Sequence, residues 1–420
     1  MPLKKIEECI SERLLQLKKD GAIKGRELVI ESIGKSIGDK GPRYFLQDEG
    51  DREFIKMNSN SYLGMSLNKE VIEAEREAAE RFGVGPGAVR FIHGTFKPHI
   101  DLEKKLAGFH RKEACMIFSS AYTAVCGVIS PLISQETIIL SDELNHNSII
   151  NAIKLSKPRD KKVYAHLNMN DLETKIKEVI GKCHRLIIVT DGIFSMRGDY
   201  PDMKELMNLA RRYNAEFKEG IITIMDDSHG VGAYGKTGRG TCEVTDEDGV
   251  DIIVATLGKA LGVNGGYVVT DAKIVEYLRE TSPLYIYSNP ITPSEASAAI
   301  KALEILDSER GKKMLSYLKK MTKYFREGLM NLGYEAIKGE HPIVALMVRD
   351  TQETAKLVNY FKEQGILTVG LKYPVVPRGD ECIRFQISAD HTKHDIDYVL
   401  NVLKEYKSCS SKDSKRNITL

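Results

Sequence analysis

The chain has 420 residues, of which 42% are hydrophobic, enough to bury a sizeable core and to exclude a disordered protein. Its 61 basic and 59 acidic residues leave a net charge of +2, which provides no field for general binding to nucleic acid or a membrane surface. No apolar run is long enough to span a bilayer, and the seven scattered cysteines contain no CxxC pair. We therefore expect a cytoplasmic protein with no membrane span and no metal site.

The N-terminal segment predicts a short amphipathic helix. Its apolar residues recur at helical spacing, at Leu3, Ile6, Ile10, Leu14 and Leu17. Such a helix is expected to dock on the body of the protein or on a partner subunit. We treat residues 1–57 as an N-terminal helix and extension.

Residues 58–290 are predicted to form a large α/β domain. Between about residues 110 and 270, short β-branched runs alternate with longer helical segments, a pattern typical of a mostly parallel sheet covered by helices. The runs are ACMIFSS, ETIILSD, RLIIVTD, GIITIMDDSH, VDIIVATLGK and GGYVVTD. Polar or small residues follow the first five runs, and in open α/β sheets ligands bind at the carboxyl ends of the strands. These five ends are therefore expected to converge on one crevice.

The character of the sequence changes beyond about residue 290. A long helical stretch is followed by alternating strand-like and helical segments, and then by the polar tail SCSSKDSKRNITL. We predict a smaller C-terminal α+β domain over residues 291–408 and a disordered tail over residues 409–420.

One segment resembles a nucleotide-binding loop. GVGAYGKT, residues 230–237, matches the pattern GxxxxGK[ST] of P-loops. A P-loop leads into an apolar-periodic helix whose N-terminus holds the phosphates, whereas this segment continues into the loop-like GRGTCEVTDEDG. Acidic residues directly before it would also repel phosphate. We therefore reject a nucleotide-binding function, although ATP-dependent stabilisation would test it.

Lys259 stands at the end of the buried run DIIVATLGK, where partial desolvation would make its amine nucleophilic toward an aldehyde. The aldehyde cofactor that uses such a lysine is pyridoxal phosphate, which also needs a carboxylate on its ring nitrogen and a phosphate cradle. Asp226 could supply the carboxylate, the helix start after Ser120 the cradle, and His146 a flat group over the ring. Each has an ordinary alternative as a cap, a turn or a satisfied polar group. Their placement at the same end of one sheet favours the cofactor site.

These residues lie in motifs that resemble a known family. The motifs GVGPGAVRFIHGTFKPHIDLEKKLAGF, SDELNHNSII, TDGIFSMRGD, DDSHGVGAYGKTGRG and TLGKALGVNGGY are similar to those of the α-oxoamine synthases. The resemblance runs from about Asn58 to about His391. It implies a pyridoxal-phosphate enzyme of fold type I that condenses a small amino acid with an acyl-CoA. TDGIFSM and YPVVPRGDECIRFQISADHT resemble most closely the glycine C-acetyltransferase branch, which would join glycine to acetyl-CoA.

The resemblance also implies roles for individual residues. Lys259 would carry the cofactor as an imine and move the substrate's α-proton, and Asp226 would pair with the ring nitrogen. His146 would stack on the ring and assist proton transfer. The other implied contacts are the ring-hydroxyl partner His229, the phosphate ligands Ala121, Tyr122, Thr256 and, from a neighbouring subunit, Ser288, the pocket residue Ser195, and the substrate ligands Asn60 and Arg384. A shared site implies a homodimer.

Two departures from the family pattern concern charge. Arg197 in FSMRGD stands where the family usually has aspartate, and Lys372 in GLKYP adds a cation in a neighbourhood that contacts a carboxylate in the biotin-pathway branch. The alternative activities are therefore 8-amino-7-oxononanoate synthase and a decarboxylating synthase similar to serine palmitoyltransferase. An alternative of another class is a catalytically silent subunit of a synthase complex. That alternative is disfavoured because Lys259, Asp226 and His146 are all present.

Overall fold

The computed structural model describes residues 3–20, 23, 27–373 and 376–416. Its α-helices are α1 (Lys4–Lys19), α2 (Lys69–Phe82), α3 (Lys97–His110), α4 (Ala121–Leu132), α5 (Asn147–Ser156), α6 (Met169–Val179), α7 (Met203–Tyr213), α8 (Thr241–Thr245), α9 (Ala272–Thr281), α10 (Pro283–Ile286), α11 (Pro293–Leu306), α12 (Glu309–Asn331), α13 (Thr351–Glu363) and α14 (Lys393–Arg416). Its strands are β1 (Ile30–Gly34), β2 (Arg43–Leu46), β3 (Ile55–Lys56), β4 (Ala114–Phe118), β5 (Thr137–Asp142), β6 (Asp160–Tyr164), β7 (Arg185–Asp191), β8 (Ile221–Asp226), β9 (Ile252–Thr256), β10 (Gly266–Thr270), β11 (Ile343–Met347), β12 (Ile366–Leu367), β13 (Val369–Leu371) and β14 (Cys382–Gln386).

The chain divides into two compact units. Unit 1 combines Met1–Ser59 with Lys320–Leu420, and unit 2 is Asn60–Lys319. The predicted boundary at residue 290 is therefore misplaced, because α11 packs against α2 and α3 within unit 2. The N-terminal extension is not a separate region either, since β3 pairs with β12 and Arg43 forms an ion pair of 2.6 Å with Asp395.

Unit 2 is built on a seven-stranded sheet in the order β4-β10-β9-β8-β7-β5-β6. Only β10 runs antiparallel to its neighbours, which confirms the predicted mostly parallel α/β sheet. All six predicted runs form strands. The sequence analysis missed β6, because its residues DKKVY are mostly charged and lie exposed at the sheet edge. Apolar residues of β4, β5 and β7 pack with α4 and α5 in the core.

Unit 1 contains a smaller α+β fold, as the sequence predicted. Strands β11, β14 and β13 form an antiparallel sheet, and α13 packs against β12, β13 and β14. A parallel pair joins β3 to β12, and β1 and β2 form an antiparallel hairpin that the sequence analysis did not foresee. The hairpin escaped notice because β1 is largely exposed and lacks a buried apolar face.

The two ends of the chain depart from expectation. Helix α1 forms where predicted, but none of its residues is buried, so docking on the body of its own unit is not observed. At the other end, α14 continues to Arg416 because SCSSKDSKR contains no proline or glycine to interrupt it. Residues 409–416, predicted as a disordered tail, are thus placed in α14, and residues 417–420 lie outside the described residues. Among described residues, no helix has the length and apolarity needed to cross a membrane.

Candidate active site

The carboxyl edge of the unit 2 sheet collects the predicted site residues. Lys259 follows β9, His146 follows β5, and Asp226 ends β8 in register with Asp191 at the end of β7. The amino end of β10 reaches the same edge, because Gly266 pairs with both Phe118 and Thr256. The parallel order of these strands thus brings together residues that lie more than a hundred positions apart.

The start of α4 presents backbone amides of the kind that bind anions. Ser120 caps the helix by accepting a hydrogen bond from the Thr123 amide at 3.1 Å, and its own amide donates to the Thr123 hydroxyl at 3.0 Å. The preceding amides, at Ala121 and Tyr122, have no carbonyl one turn earlier to bind. A Cβ at Gly266 would lie 2.2 Å from the Ala121 amide nitrogen. Any residue other than glycine at position 266 would therefore clash with the Ala121 amide, so glycine is required where β10 approaches the start of α4.

Lys259 is held by a short loop that follows β9. The Thr256 hydroxyl donates to the Gly265 carbonyl at 3.1 Å and accepts from the Gly258 amide at 3.0 Å. The Lys259 carbonyl accepts from the Gly262 amide at 3.0 Å, and the residue is half-buried. Thr256 thus orders the loop, while its predicted contact with phosphate stays a prediction.

Two buried carboxyls adjoin the lysine. Asp226 and Asp191 are 7% and 4% exposed. Burial raises the pKa of Asp191 well above its usual range, and the negative charge of Asp226 raises it further, against a lowering effect from the His146 amide and Lys259. Asp226 accepts from the Ser228 amide at 3.0 Å. The site therefore places two buried carboxyl groups side by side, and Asp191 is the one whose ionisation the surroundings oppose.

His146 is fixed from both sides. Its amide donates to Asp191 at 3.0 Å, and its ring nitrogen Nδ1 lies 2.8 Å from the Ser148 hydroxyl and accepts from the Ser148 amide at 3.2 Å. Surrounding protein lowers the pKa of His146, the charge of Asp226 opposes that effect, and the charge of Lys259 adds to it. At neutral pH the His146 ring is therefore uncharged. The residue caps α5 and lies beside the lysine and the carboxylate.

The remaining predicted residues of unit 2 fall on neighbouring segments. His229 is buried, and its Nδ1 lies 2.8 Å from the Tyr62 hydroxyl, which also lies 3.5 Å from Asn60. Ser195 is half-buried in the loop after β7. Ser288 lies between α10 and α11, and its hydroxyl lies 3.5 Å from the Asn289 carbonyl. The assigned roles of these residues stay predictions, as does the role of Arg384, which is buried in β14 of unit 1.

Sequence reasoning missed Asp227, the residue beside Asp226. It is 1% exposed, and its two oxygens accept from the amide and the hydroxyl of Thr241 at 2.8 and 2.7 Å. Burial raises the pKa of Asp227 to about 7, with the Thr241 hydrogen bonds opposing this shift. The signal was the doublet of aspartates at a strand end, of which only the first received a role. Asn145 was also missed, although its side chain bridges β5 and β7.

The P-loop-like segment is occupied by the chain itself. The carboxylate of Glu243 accepts from the Thr237 amide at 2.9 and 3.1 Å and from the Arg239 amide at 3.1 Å. The amide of Thr237, the last residue of the P-loop-like segment, is therefore already bound to a carboxylate. The segment leads into the five-residue helix α8, as its loop-like sequence indicated.

Comparison with known proteins agrees with this arrangement. The profile of the family "Aminotransferase class I and II" matches residues 52–403. An 8-amino-7-oxononanoate synthase from Thermoanaerobacter pseudethanolicus is 37% identical over 399 residues, 95% of this chain and 96% of that protein. The human mitochondrial 2-amino-3-ketobutyrate coenzyme A ligase is 40% identical over 350 residues, 83% of this chain and 81% of that protein. A solved structure described as SPT with pyridoxal phosphate bound superposes with a TM-score of 0.85 at 25% identity, covering 96% of this chain and 97% of that chain.

Fold and site together define a pyridoxal-phosphate-dependent enzyme of fold type I. The chain belongs to the α-oxoamine synthases within the aminotransferase class I and II family. It is thus an acyltransferase whose cofactor is pyridoxal phosphate, and the family's substrates are an amino acid and an acyl thioester. This confirms the resemblance stated from the motifs.

The residues present fit the cofactor. A phosphate suits the amides of Ala121 and Tyr122 above Gly266, and the buried Asp226 suits a protonated ring nitrogen. When bound, pyridoxal phosphate supplies an electron sink for the α-carbon of the amino acid. In this arrangement the Lys259 amine would attach the cofactor, Asp226 would pair with its ring nitrogen, and Lys259 or His146 would move a proton.

Proposed function

We propose that the protein is an 8-amino-7-oxononanoate synthase, which joins alanine to a pimeloyl thioester with release of carbon dioxide and the thiol. The observation that carries the proposal is the likeness to the synthase of that name over 95% of this chain. The glycine C-acetyltransferase activity expected from two motifs is the second candidate. It is supported by the human 2-amino-3-ketobutyrate coenzyme A ligase at 40% identity.

The name of the product, 8-amino-7-oxononanoate, defines the reaction that we propose. A nine-carbon acid with its ketone at C7 and amine at C8 divides into a seven-carbon dicarboxylic acyl group and a two-carbon amine unit. Alanine supplies that unit once its carboxyl group has left. The carbons balance, because three from alanine and seven from the acyl group give nine in the product and one in carbon dioxide.

The acyl group of this reaction ends in a carboxylate, whereas an acetyl group does not. Lys372, half-buried directly after β13, is a cation in the neighbourhood that contacts a carboxylate in the biotin-pathway branch. We assign the distal carboxylate of the acyl group to Lys372 and the carboxylate of the amino acid to Arg384. A charge-assisted hydrogen bond is worth about 1.5–3 kcal/mol, which is enough to select a dicarboxylic acyl group over an uncharged one.

The test is thiol release by the cofactor-loaded protein with four pairings of alanine or glycine with pimeloyl-CoA or acetyl-CoA, with carbon dioxide measured alongside. The proposal predicts that alanine with pimeloyl-CoA gives the highest kcat/KM, with one carbon dioxide for each thiol. Turnover restricted to glycine and acetyl-CoA, without carbon dioxide, would instead support glycine C-acetyltransferase. No turnover with any pairing would favour the silent-subunit alternative.

Lys372→Met sharpens the test. We expect it to raise KM for pimeloyl-CoA by about tenfold or more, because one charged contact is lost. Heptanoyl-CoA, which has the same chain length without the distal carboxylate, is the matched control and should respond little. An equal response to both thioesters would contradict the role given to Lys372. A homodimer with shared sites and a cytoplasmic location complete the proposal.

A further inference from the structure

His166, in the turn between β6 and α6, lies between two carboxylates. Its Nδ1 lies 2.9 Å from Asp142 Oδ1 and its Nε2 lies 3.4 Å from Asp199 Oδ2. Its side chain is only 13% exposed, and its ring packs edge-on against Phe194 at 4.4 Å between centroids. Because an ionised carboxylate only accepts hydrogen bonds, both ring nitrogens must carry a proton. The geometry thus describes an imidazolium ion.

The first carboxylate belongs to the turn that carries His146. Asp142 ends β5, and its oxygens also accept from the amide of Leu144 at 2.9 Å and from the amide of Leu167 at 3.0 Å. The Asn145 amide donates to the Asp142 carbonyl at 3.3 Å. Asp142 is therefore hydrogen-bonded to the residue directly before His146.

The second carboxylate belongs to the loop that carries Ser195. Arg197 Nε donates to Asp199 Oδ2 at 2.7 Å, and the Phe194 amide donates to the Asp199 carbonyl at 2.9 Å. The Gly198 amide closes the loop by donating to the Phe194 carbonyl at 2.8 Å. Asp142, His166, Asp199 and Arg197 together form what we call the His166 clamp, with two positive and two negative groups.

We propose that His166 is a positioning residue that, as a cation, ties the turn bearing His146 to the loop bearing Ser195 and so sets the width of the cofactor site. The proposal rests on the placement of His146 and Ser195 at the cofactor. His166 acts through Asp142 and Asp199 and touches no reacting group. Arg197, the residue that departs from the family pattern, neutralises the second carboxylate and keeps the clamp balanced.

The clamp should respond to pH. The charged groups facing the ring are Asp142 and Asp199, with Arg197 beyond Asp199, and Glu143 accepts from the His166 backbone amide at 3.0 Å. Burial alone would lower the pKa of His166, but the two carboxylates outweigh it and raise the pKa to about 9. The stabilisation is therefore complete below the ordinary pKa of about 6.5 and is lost as the pH rises through about 9.

The test compares His166→Gln with His184→Gln, which removes a half-buried histidine 4.0 Å from Glu136 in the same unit. Two quantities are measured at about pH 7 and about pH 10. They are the dissociation constant for pyridoxal phosphate and the hydrogen exchange of residues 194–199 in the cofactor-free protein. At the lower pH, His166→Gln should weaken cofactor binding about tenfold and speed exchange, because one charge-assisted link is lost. At the higher pH, it should match the wild type, and His184→Gln should match it at both.

Equal cofactor binding and equal exchange in His166→Gln and the wild type at the lower pH would overturn the proposal, and so would a defect that persists unchanged at the higher pH. Should His166→Gln fail to fold, Asp199→Asn tests the link from its other end at the lower pH, where it should also weaken cofactor binding and speed exchange. Because it removes the ion pair with Arg197 as well, only the part of its defect that depends on His166 should disappear at the higher pH. A wild-type protein that does not bind pyridoxal phosphate would overturn the placement of the site, while the exchange measurement would still decide the clamp.

Discussion

Two glycine-rich loops of unit 2 look alike in sequence and differ in what they surround. The first, residues 230–240, reads GVGAYGKTGRG, and the second, residues 256–266, reads TLGKALGVNGG. Each places one lysine among glycines after a buried strand. We call them the Asp227 loop and the Lys259 loop.

The Asp227 loop is folded around a buried carboxyl. A Cβ at Gly230 or Gly240 would lie 2.1 or 2.0 Å from an oxygen of Asp227, so glycine is required for the chain to approach the carboxyl. Glu243 occupies further amides of the loop, and Lys236 is exposed. This loop therefore satisfies groups of its own chain.

The Lys259 loop instead holds its lysine half-buried at the carboxyl edge of the sheet, and the charge of Lys259 reaches His146 and Asp191. Glycine spacing is thus a poor guide to function. The informative feature is which groups already occupy the amides and carboxylates around a loop.

The largest effect is expected from replacing the two lysines. Lys259→Ala should reduce turnover by more than about ten-thousand-fold, because the protein loses both its attachment point for the cofactor and its proton carrier. Lys236→Ala is the matched control in the Asp227 loop and should keep wild-type turnover. Steady-state thiol release measures both variants, and substantial activity in Lys259→Ala would remove the basis of the comparison.

The next largest effect is expected from Asp226→Asn, and it distinguishes the role of Asp226 from that of its neighbour Asp227. Asp226→Asn should keep the acceptor for the Ser228 amide, and with it the stability of the fold, but should reduce kcat about a hundred- to a thousand-fold. The reason is that a neutral amide does not hold the cofactor's ring nitrogen protonated. Thermal unfolding and kcat, measured on the same preparation, give the result. A variant with nearly normal kcat would show that Asp226 does not have the role assigned.

Asp227→Asn should instead act on stability. At about pH 5 we expect a loss of about 1–3 kcal/mol, because the amide nitrogen of asparagine cannot accept from Thr241. The folded protein disfavours ionisation of Asp227, whose pKa is raised to about 7, so the wild type itself loses stability as the pH rises from about 4 to about 7. The difference in the free energy of unfolding between the wild type and Asp227→Asn should therefore decrease as the pH rises. Denaturant unfolding between about pH 4 and about pH 7 measures this difference. A difference that increases with pH would contradict the role given to Asp227.

The smallest effect is expected at Glu243. Glu243→Gln should destabilise the fold by about 1 kcal/mol, since an amide oxygen accepts more weakly than a carboxylate from Thr237 and Arg239. Turnover per folded molecule should not change. ATP should stabilise neither protein against heat, and ATP-dependent stabilisation would reopen the nucleotide-binding interpretation.

The sequence predicted best where burial imposes a simple pattern. The strands that carry Asp191, Asp226 and Thr256 are apolar runs buried on both faces, and their polar ends lie where the parallel sheet requires. It failed where stability comes from partners distant in sequence. The charged strand β6 is held by pairing with β5, and residues 1–59 join unit 1 through contacts such as that between Arg43 and Asp395.

Within the candidate site, the motif residues were predictable because each belongs to a strand end or a helix start. The two residues that organise them were not. Asp227 is closely surrounded by glycines, and His166 contacts Asp142 at the end of β5 and Asp199 in the loop after β7. No local spacing encodes such contacts.

Reduction of the cofactor-loaded protein with borohydride, followed by peptide mass spectrometry, would identify the lysine that carries the cofactor. Borohydride fixes pyridoxal phosphate to the lysine that holds it. We expect a single labelled peptide containing Lys259 and no label on Lys236. Label on Lys236, or no stable label on either lysine, would contradict the assignment of the active site to the Lys259 loop.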